Sequence, residues 1–108
     1  MRDYLQELMD VIENRKANPS EGSYTCYLFE KGLDKILKKI AEECGETIIA
    51  AKNGDKALLC AEVCDLIYHV LVMASECNLP ISDIYNELDI RSKKIGNLKK
   101  MKSVDKLT

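Results

Sequence analysis

Residues 33–77 read LDKILKKIAEECGETIIAAKNGDKALLCAEVCDLIYHVLVMASEC and contain two long helical patterns on either side of Asn53-Gly54-Asp55. Apolar residues recur at helical spacing in the first pattern and fill most positions of the second. The three residues between them supply a helix stop, a residue tolerant of left-handed geometry and an N-cap, in that order. We therefore predict two antiparallel helices, over about residues 33–52 and 56–77, joined by a tight turn.

The two predicted helices differ in how their apolar residues are distributed. The first has a largely apolar side that we expect to face the core, formed by Ile36, Leu37, Ile40, Cys44, Thr47, Ile48 and Ala51. The second is apolar nearly all round and should be buried on most sides. A small domain buries a limited share of its surface, so a second copy of the chain would help to cover this helix. The sequence therefore predicts a homodimer with two-fold symmetry.

Shorter helical patterns flank this pair. An N-terminal pattern around residues 5–12 should end at Asn18-Pro19, and residues 79–82 should end the second helix of the pair and cap a last one. Residues 24–29 form a short apolar run before Gly32, whose conformation the pattern does not decide. No stretch shows the sustained alternation of a strand. The predicted fold class is all-α, a dimeric bundle of four to five helices.

Composition limits the classes of function. The 108 residues are 46% hydrophobic and 31% charged, as in one globular domain, and the net charge of −2 argues against a nucleic-acid partner. Neither a signal region nor a run of ~20 apolar residues is evident, so we expect a cytoplasmic protein without a membrane partner. We assign residues 1–92 to the domain. Residues 93–108, with six lysines and one aspartate, form a basic tail that is either solvated or a flap over ligand phosphates.

The five cysteines are odd in number and lack metal-finger spacing, so we interpret them as reduced core thiols: Cys26, Cys44, Cys60, Cys64 and Cys77. A zinc site on Cys60 and Cys64 is the less favoured alternative.

Carboxylates carry the chemistry that the residue pattern suggests. Glu42, Glu43 and Glu46 share the polar side of the first helix, and Glu62, Asp65, His69 and Glu76 share a narrow stripe of the second. Each set alone could be solvated surface, with Lys38 and Lys39 pairing with Glu42 and Glu43. On antiparallel neighbours the two sets would repel without a cation between them. Oxygen ligands and the absence of a Glu-x-x-His pair favour Mg²⁺, or Mn²⁺, over iron.

No phosphate-binding glycine loop and no Ser-His-Asp or Cys-His signature is present, so a metal-activated water is the simplest nucleophile.

Several segments together resemble the phosphoribosyl-ATP pyrophosphohydrolase family of all-α nucleotide pyrophosphohydrolases. They are Ser23-Tyr24-Thr25, Gly32, Lys35-Ile36, Lys38-Lys39, Glu42-Glu43-x-x-Glu46, residues 50–55 and Glu62-x-x-Asp65-Leu66, over about residues 5–91. The resemblance implies the second step of histidine biosynthesis, with phosphoribosyl-ATP as the substrate and a separate cyclohydrolase for the next step. It also implies a metal site of Glu42, Glu43, Glu46, Glu62 and Asp65, with Glu43 and Glu46 catalytic. Lys35, Lys39, Lys52 and Asn53 would contact phosphates or ribose.

Two features depart from the family pattern, namely Cys44-Gly45 and the lysine-rich end after Arg91. Two other functions stay open: a related enzyme that clears unwanted nucleotides, and a non-catalytic helical dimerisation module whose carboxylates are surface only.

Overall fold

A computed structural model describes residues 1–94, and these form five helices and no strand, which confirms the predicted all-α class. The helices are α1 (Tyr4–Ala17), α2 (Tyr24–Lys31), α3 (Leu33–Asn53), α4 (Lys56–Glu76) and α5 (Ile81–Ser92). The predicted basic tail lies outside the described residues beyond Lys94.

Local signals account for most helix ends. The Ser23 hydroxyl accepts a hydrogen bond from the Cys26 amide and starts α2, so residues 24–29 are helical. Gly32 has a φ of 91° between α2 and α3, a conformation that other residues rarely adopt. Gly54 ends α3 with a left-handed φ of 73°, and the Asp55 carboxylate accepts from the Leu58 amide to start α4. The predicted turn between the two long helices is therefore confirmed.

The ends of α4 and α5 differ in part from expectation. Asn78 has a left-handed φ of 57°, and the Leu79 amide donates to the Ala74 carbonyl, which closes the end of α4. Helix α5 begins after Pro80 without a side-chain cap, so the predicted cap is wrong.

The core lies where α1, α2 and α3 meet the C-terminal half of α4. Its buried apolar members are Met9, Ile12, Leu28, Ile36, Leu71, Val72, Ala74 and Ile81. Burial of apolar surface is the main stabilising term for such a cluster.

The predicted core side of α3 is partly wrong. Ile36 is fully buried and Ile40 partly, but Leu37 and Ile48 are exposed, Ile48 by 68%. Glu43, which we placed on the polar side, is instead buried. Helix α4 packs against the face that contains Ile36, Glu43 and Ala50, and sequence periodicity cannot distinguish this face from its apolar neighbour.

The N-terminal half of α4 is more exposed than predicted. Leu58 and Val63 in this half, and Ile67 just beyond it, are exposed in the single chain, whereas Leu71 and Val72 are buried. Among the described residues, α4 is the one helix long and apolar enough to span a membrane, a property it shares with core helices of soluble proteins. Glu62 and Asp65, near its middle, face other charged groups of the chain.

The prediction of core thiols is also wrong. All five cysteines are free, but Cys26 and Cys44 are only half-buried, and Cys60, Cys64 and Cys77 are exposed. Cys60 and Cys64 lie on the half of α4 that this chain leaves uncovered.

Candidate metal centre

Three carboxylates from the two long helices come together in one cluster. Glu43 of α3 and Glu62 and Asp65 of α4 each offer an oxygen, and these oxygens lie within 4.8 Å of one another. Glu62 and Asp65 are three residues apart, so they project from neighbouring turns of the same helix face. Glu43 is buried, Glu62 is half-buried and Asp65 is exposed, which leaves the cluster open to solvent on one side.

Two oxygens of this cluster are buried and have no hydrogen-bond partner, Oε2 of Glu43 and Oε2 of Glu62. An unpaired carboxylate is costly to bury, and two facing carboxylates repel each other. A divalent cation would satisfy both oxygens at once, because hard cations prefer carboxylate oxygen ligands. The cluster therefore fits a metal ion of this class.

The electrostatics of Glu62 agree with a crowded anionic site. Interaction with the carboxyl group of Glu46, burial and the proximity of Glu43 raise the pKa of Glu62 from 4.5 to about 7. A protonated Glu62 can donate a hydrogen bond to a neighbouring carboxylate, whereas the charged form has no hydrogen to donate. A bound cation would favour the charged form instead, so proton and metal compete for this residue.

The other two predicted metal ligands lie at the edge of the cluster. Glu46 is exposed and close enough to Glu62 to affect its pKa. Glu42 is also exposed, and its Oε2 accepts a hydrogen bond from the Lys39 ammonium at 3.1 Å, which lowers the pKa of Glu42. The same ammonium lies 3.9 Å from Oε1 of Glu43. Lys39 therefore neutralises part of the charge beside the cluster.

The predicted substrate-binding residues fall into two groups at opposite ends of α3. Lys35 lies one turn before Lys39, on the side of the carboxylates, and is half-buried. Lys52 and Asn53 are exposed at the end of the helix. With a rise of 1.5 Å per residue, Lys39 and Lys52 are separated by roughly 20 Å along the axis. A single chain does not bring these groups together.

A polar pair beside the cluster was not predicted. His69, placed by sequence in the carboxylate stripe, is buried, and its Nδ1 lies 2.7 Å from the Asp65 carbonyl oxygen. Its Nε2 lies 3.0 Å from the hydroxyl of Tyr24 at the start of α2. The two residues are 45 positions apart, and no local pattern links them. The one available signal is that His69 follows Asp65 by one helical turn.

Comparison with known proteins identifies the family of the chain. The family model described as phosphoribosyl-ATP pyrophosphohydrolase matches residues 5–92. A phosphoribosyl-ATP pyrophosphatase of Clostridium novyi is 57% identical over 97 residues, which cover 90% of this chain and 88% of the relative. A protein of the same name from Bacillus mycoides is 47% identical over 107 residues, covering 99% of this chain and all of the relative.

A longer relative carries the same region as part of a fusion. The histidine biosynthesis bifunctional protein HisIE of Caldanaerobacter subterraneus subsp. tengcongensis is 55% identical over 92 residues, which are 85% of this chain and 45% of that protein. The match of one family model across most of the described helices, together with relatives of this identity, is sufficient for assignment. The chain belongs to the phosphoribosyl-ATP pyrophosphohydrolase family.

Proposed function

We propose that this protein hydrolyses phosphoribosyl-ATP to phosphoribosyl-AMP and pyrophosphate in histidine biosynthesis. Family membership supports the reaction, and the cluster of Glu43, Glu62 and Asp65 supports it independently, because a nucleotide with adjacent phosphates needs a divalent cation beside carboxylates. In the reaction, water adds to a phosphorus of the α–β anhydride as the bridging P–O bond breaks.

The cation is proposed to be Mg²⁺, with Mn²⁺ as a substitute, held by Glu43, Glu62 and Asp65 with Glu42 and Glu46 at the edge of the site. When bound, it would neutralise phosphate charge and acidify a coordinated water. Glu43 and Glu46 are the candidate acceptors for the proton of the attacking water. Glu43 is the more constrained of the two, because its side chain is buried whereas that of Glu46 is exposed.

The lysines are proposed to hold the phosphates. Lys39 already bridges Glu42 and Glu43 and can turn toward an incoming anion, and Lys35 lies one turn away on the same helix. Ammonium groups are suited to this role as mobile point charges. Lys52 and Asn53, at the other end of α3, would serve a site to which a second chain contributes.

A homodimer is proposed on the exposed apolar surface of α3 and α4. This surface comprises Leu37, Ile48, Ile49, Leu58, Val63 and Ile67, all exposed in the single chain. Several large apolar side chains left exposed on two adjacent helices are typical of an interface between subunits. Sedimentation at micromolar concentration should give twice the chain mass of 12.2 kDa. A monomer alone would contradict the dimer.

We also propose the domain bounds, the localisation and the enzyme of the next step. Residues 1–92 would be the catalytic domain and residues 93–108 a basic extension of it, in a cytoplasmic protein that acts without nucleic acid. As the family resemblance implies, we propose that a separate cyclohydrolase acts on the phosphoribosyl-AMP that the enzyme releases.

Substrate preference tests the proposal. We expect a kcat/KM for phosphoribosyl-ATP in Mg²⁺ at least about 100-fold above those for ATP, dCTP and dUTP, because the extra phosphate helps to orient the reacting group. Similar values for all four nucleotides would favour the nucleotide-clearing enzyme. No turnover of any of them, with a dimer intact, would favour the non-catalytic module.

A further inference from the structure

Tyr24 and His69 connect α2 to the helical turn that carries Asp65. The hydroxyl of Tyr24 lies 3.0 Å from His69 Nε2, and His69 Nδ1 lies 2.7 Å from the Asp65 carbonyl oxygen. His69 is only 5% exposed, whereas Tyr24 is 45% exposed. His69 therefore lies in the interior, and Tyr24 lies at the surface beside the carboxylates.

The direction of these hydrogen bonds follows from the donors and acceptors. A carbonyl oxygen can only accept, so the hydrogen atom of the imidazole must be on Nδ1. In the neutral ring Nε2 is then an acceptor, and the Tyr24 hydroxyl donates its proton to it. The hydroxyl oxygen of Tyr24 keeps its lone pairs free. The hydroxyl can therefore only accept a hydrogen bond from a ligand, because its one hydrogen is already donated to His69.

The surroundings of Tyr24 place this acceptor beside the proposed site. Burial raises the pKa of Tyr24 above its ordinary value, so the hydroxyl keeps its proton at neutral pH. The Lys39 ammonium and the Glu43 carboxylate are near enough to shift the same pKa in opposite directions. Tyr24 therefore lies on the side of the cluster where a phosphate chain would meet Lys39.

A nucleotide has few groups that can donate to such an oxygen. Its ionised phosphates have no hydrogen to donate, but its ribose hydroxyls and the amino group of its adenine do, and the adenine is farther from the phosphates than the ribose that links them. The adenosine ribose is bonded directly to the α-phosphate, so it is the hydroxyl-bearing group nearest to the anhydride that reacts. We propose that Tyr24 is a substrate-binding residue whose hydroxyl oxygen, oriented by His69, accepts a hydrogen bond from the adenosine ribose; this rests on the proposed function.

Binding of the reaction product tests Tyr24 without requiring turnover. The affinity for phosphoribosyl-AMP in Mg²⁺ would be measured by calorimetry for the wild type, Tyr24→Phe and Tyr68→Phe. Tyr68 is a matched control, because its hydroxyl bonds to Thr25 Oγ1 and so also ties α2 to α4. Its ring meets His69 edge to face, but that contact does not involve the hydroxyl that Tyr68→Phe removes. Loss of one neutral hydrogen bond should raise the Kd of Tyr24→Phe about 2- to 10-fold, with Tyr68→Phe unchanged.

Deoxy analogues of the product identify the ligand atom. The two analogues are the 2′-deoxyadenosine and the 3′-deoxyadenosine forms of phosphoribosyl-AMP. For one of the two, wild type and Tyr24→Phe should have equal affinity, because that analogue lacks the hydroxyl that donates to Tyr24. An undiminished Tyr24→Phe effect with both analogues would overturn the proposal. Equal weakening by Tyr24→Phe and Tyr68→Phe would also overturn it, since the two bonds would then act only as ties between helices.

The same experiment separates this inference from the proposed function. If Tyr24→Phe binds the product more weakly and the wild type does not cleave phosphoribosyl-ATP, the inference is supported and the proposed function is contradicted. Unchanged binding by Tyr24→Phe in a protein that does cleave it would overturn the inference alone. A wild type with no affinity for phosphoribosyl-AMP would overturn the inference as well.

Discussion

The two halves of α4 are similarly apolar in sequence and differ in what surrounds them. In the C-terminal half, Leu71 and Val72 are buried in the core with residues of α1, α2 and α3, whereas Leu58 and Val63 in the N-terminal half are exposed. The exposed half also carries Glu62 and its unpartnered oxygen. Along one helix, the residues that stabilise the chain are therefore separate from the residues available for chemistry and for a second subunit.

Substitutions in the two halves of α4 should differ most in their effect on catalysis. We expect Glu62→Gln to lower kcat at least about 100-fold, because it removes charge from the proposed metal site. Glu43→Gln, Glu46→Gln and Asp65→Asn should act in the same direction. Steady-state turnover of phosphoribosyl-ATP in saturating Mg²⁺, with helicity checked by circular dichroism, measures the effect.

Glu76→Gln is the control for this series, since Glu76 is on α4 but more than two turns beyond Asp65. It should keep near-normal turnover. Near-normal rates for two or more of the cluster variants would show that the carboxylates do not form the site.

A matched pair of leucines tests the difference in packing. Leu71→Ala should lower the free energy of unfolding by about 2–4 kcal/mol at any protein concentration, because it leaves a cavity in the core. Leu58→Ala should have little effect on the isolated chain and should instead weaken the dimer. Chemical denaturation at several concentrations distinguishes the two. Equal, concentration-independent losses would mean that both halves are packed alike.

The pH dependence of stability should depend on Glu62, which lies in the exposed N-terminal half of α4. Folding raises the pKa of Glu62 from 4.5 to about 7, so the native state retains a proton that the unfolded chain releases. This stabilisation is complete below pH 4.5 and is lost as the pH rises to about 7. Thermal unfolding in EDTA should therefore show wild type losing stability relative to Glu62→Gln across that range. Parallel curves for the two proteins would contradict the shift.

The smallest effect is expected at Gly45, in the middle of α3. A Cβ atom there would meet no other atom within 4 Å. Gly45→Ala should therefore raise the free energy of unfolding by about 0.5–1 kcal/mol, since alanine has less conformational entropy to lose in a helix. The melting temperature measures this gain. A loss of stability that grows with protein concentration would instead place a second chain against this side of α3.

Sequence patterns were sufficient where the signals are local. Asn53-Gly54-Asp55 specifies its turn because the left-handed residue and the N-cap act within a few positions. The face of α3 that packs on α4 was mispredicted, because Ile36 and Leu37 are both apolar and only the partner helix selects between them. Helix α2 is too short for its periodicity to decide its conformation, and its N-cap Ser23 becomes evident only from the hydrogen bond.

The candidate site shows the same limit. Charges on both long helices were visible in sequence, but the pattern could not tell that Glu43 would be buried beside Glu62 while Glu42 turned to Lys39. That choice depends on the rotation of one helix against the other. The contact of Tyr24 with His69 depends on a third helix as well, and it has no signature at either residue.

Because Gly54 joins α3 directly to α4, Glu43 and Glu62 meet across only 19 residues of chain. Closing so short a loop loses little entropy, and folds rich in local contacts form rapidly. We therefore expect the two helices to pair early in folding, so that their carboxylates repel one another already at the transition state. A divalent cation should then accelerate folding itself, and its effect should appear in the refolding arm of a chevron plot as well as in the unfolding arm.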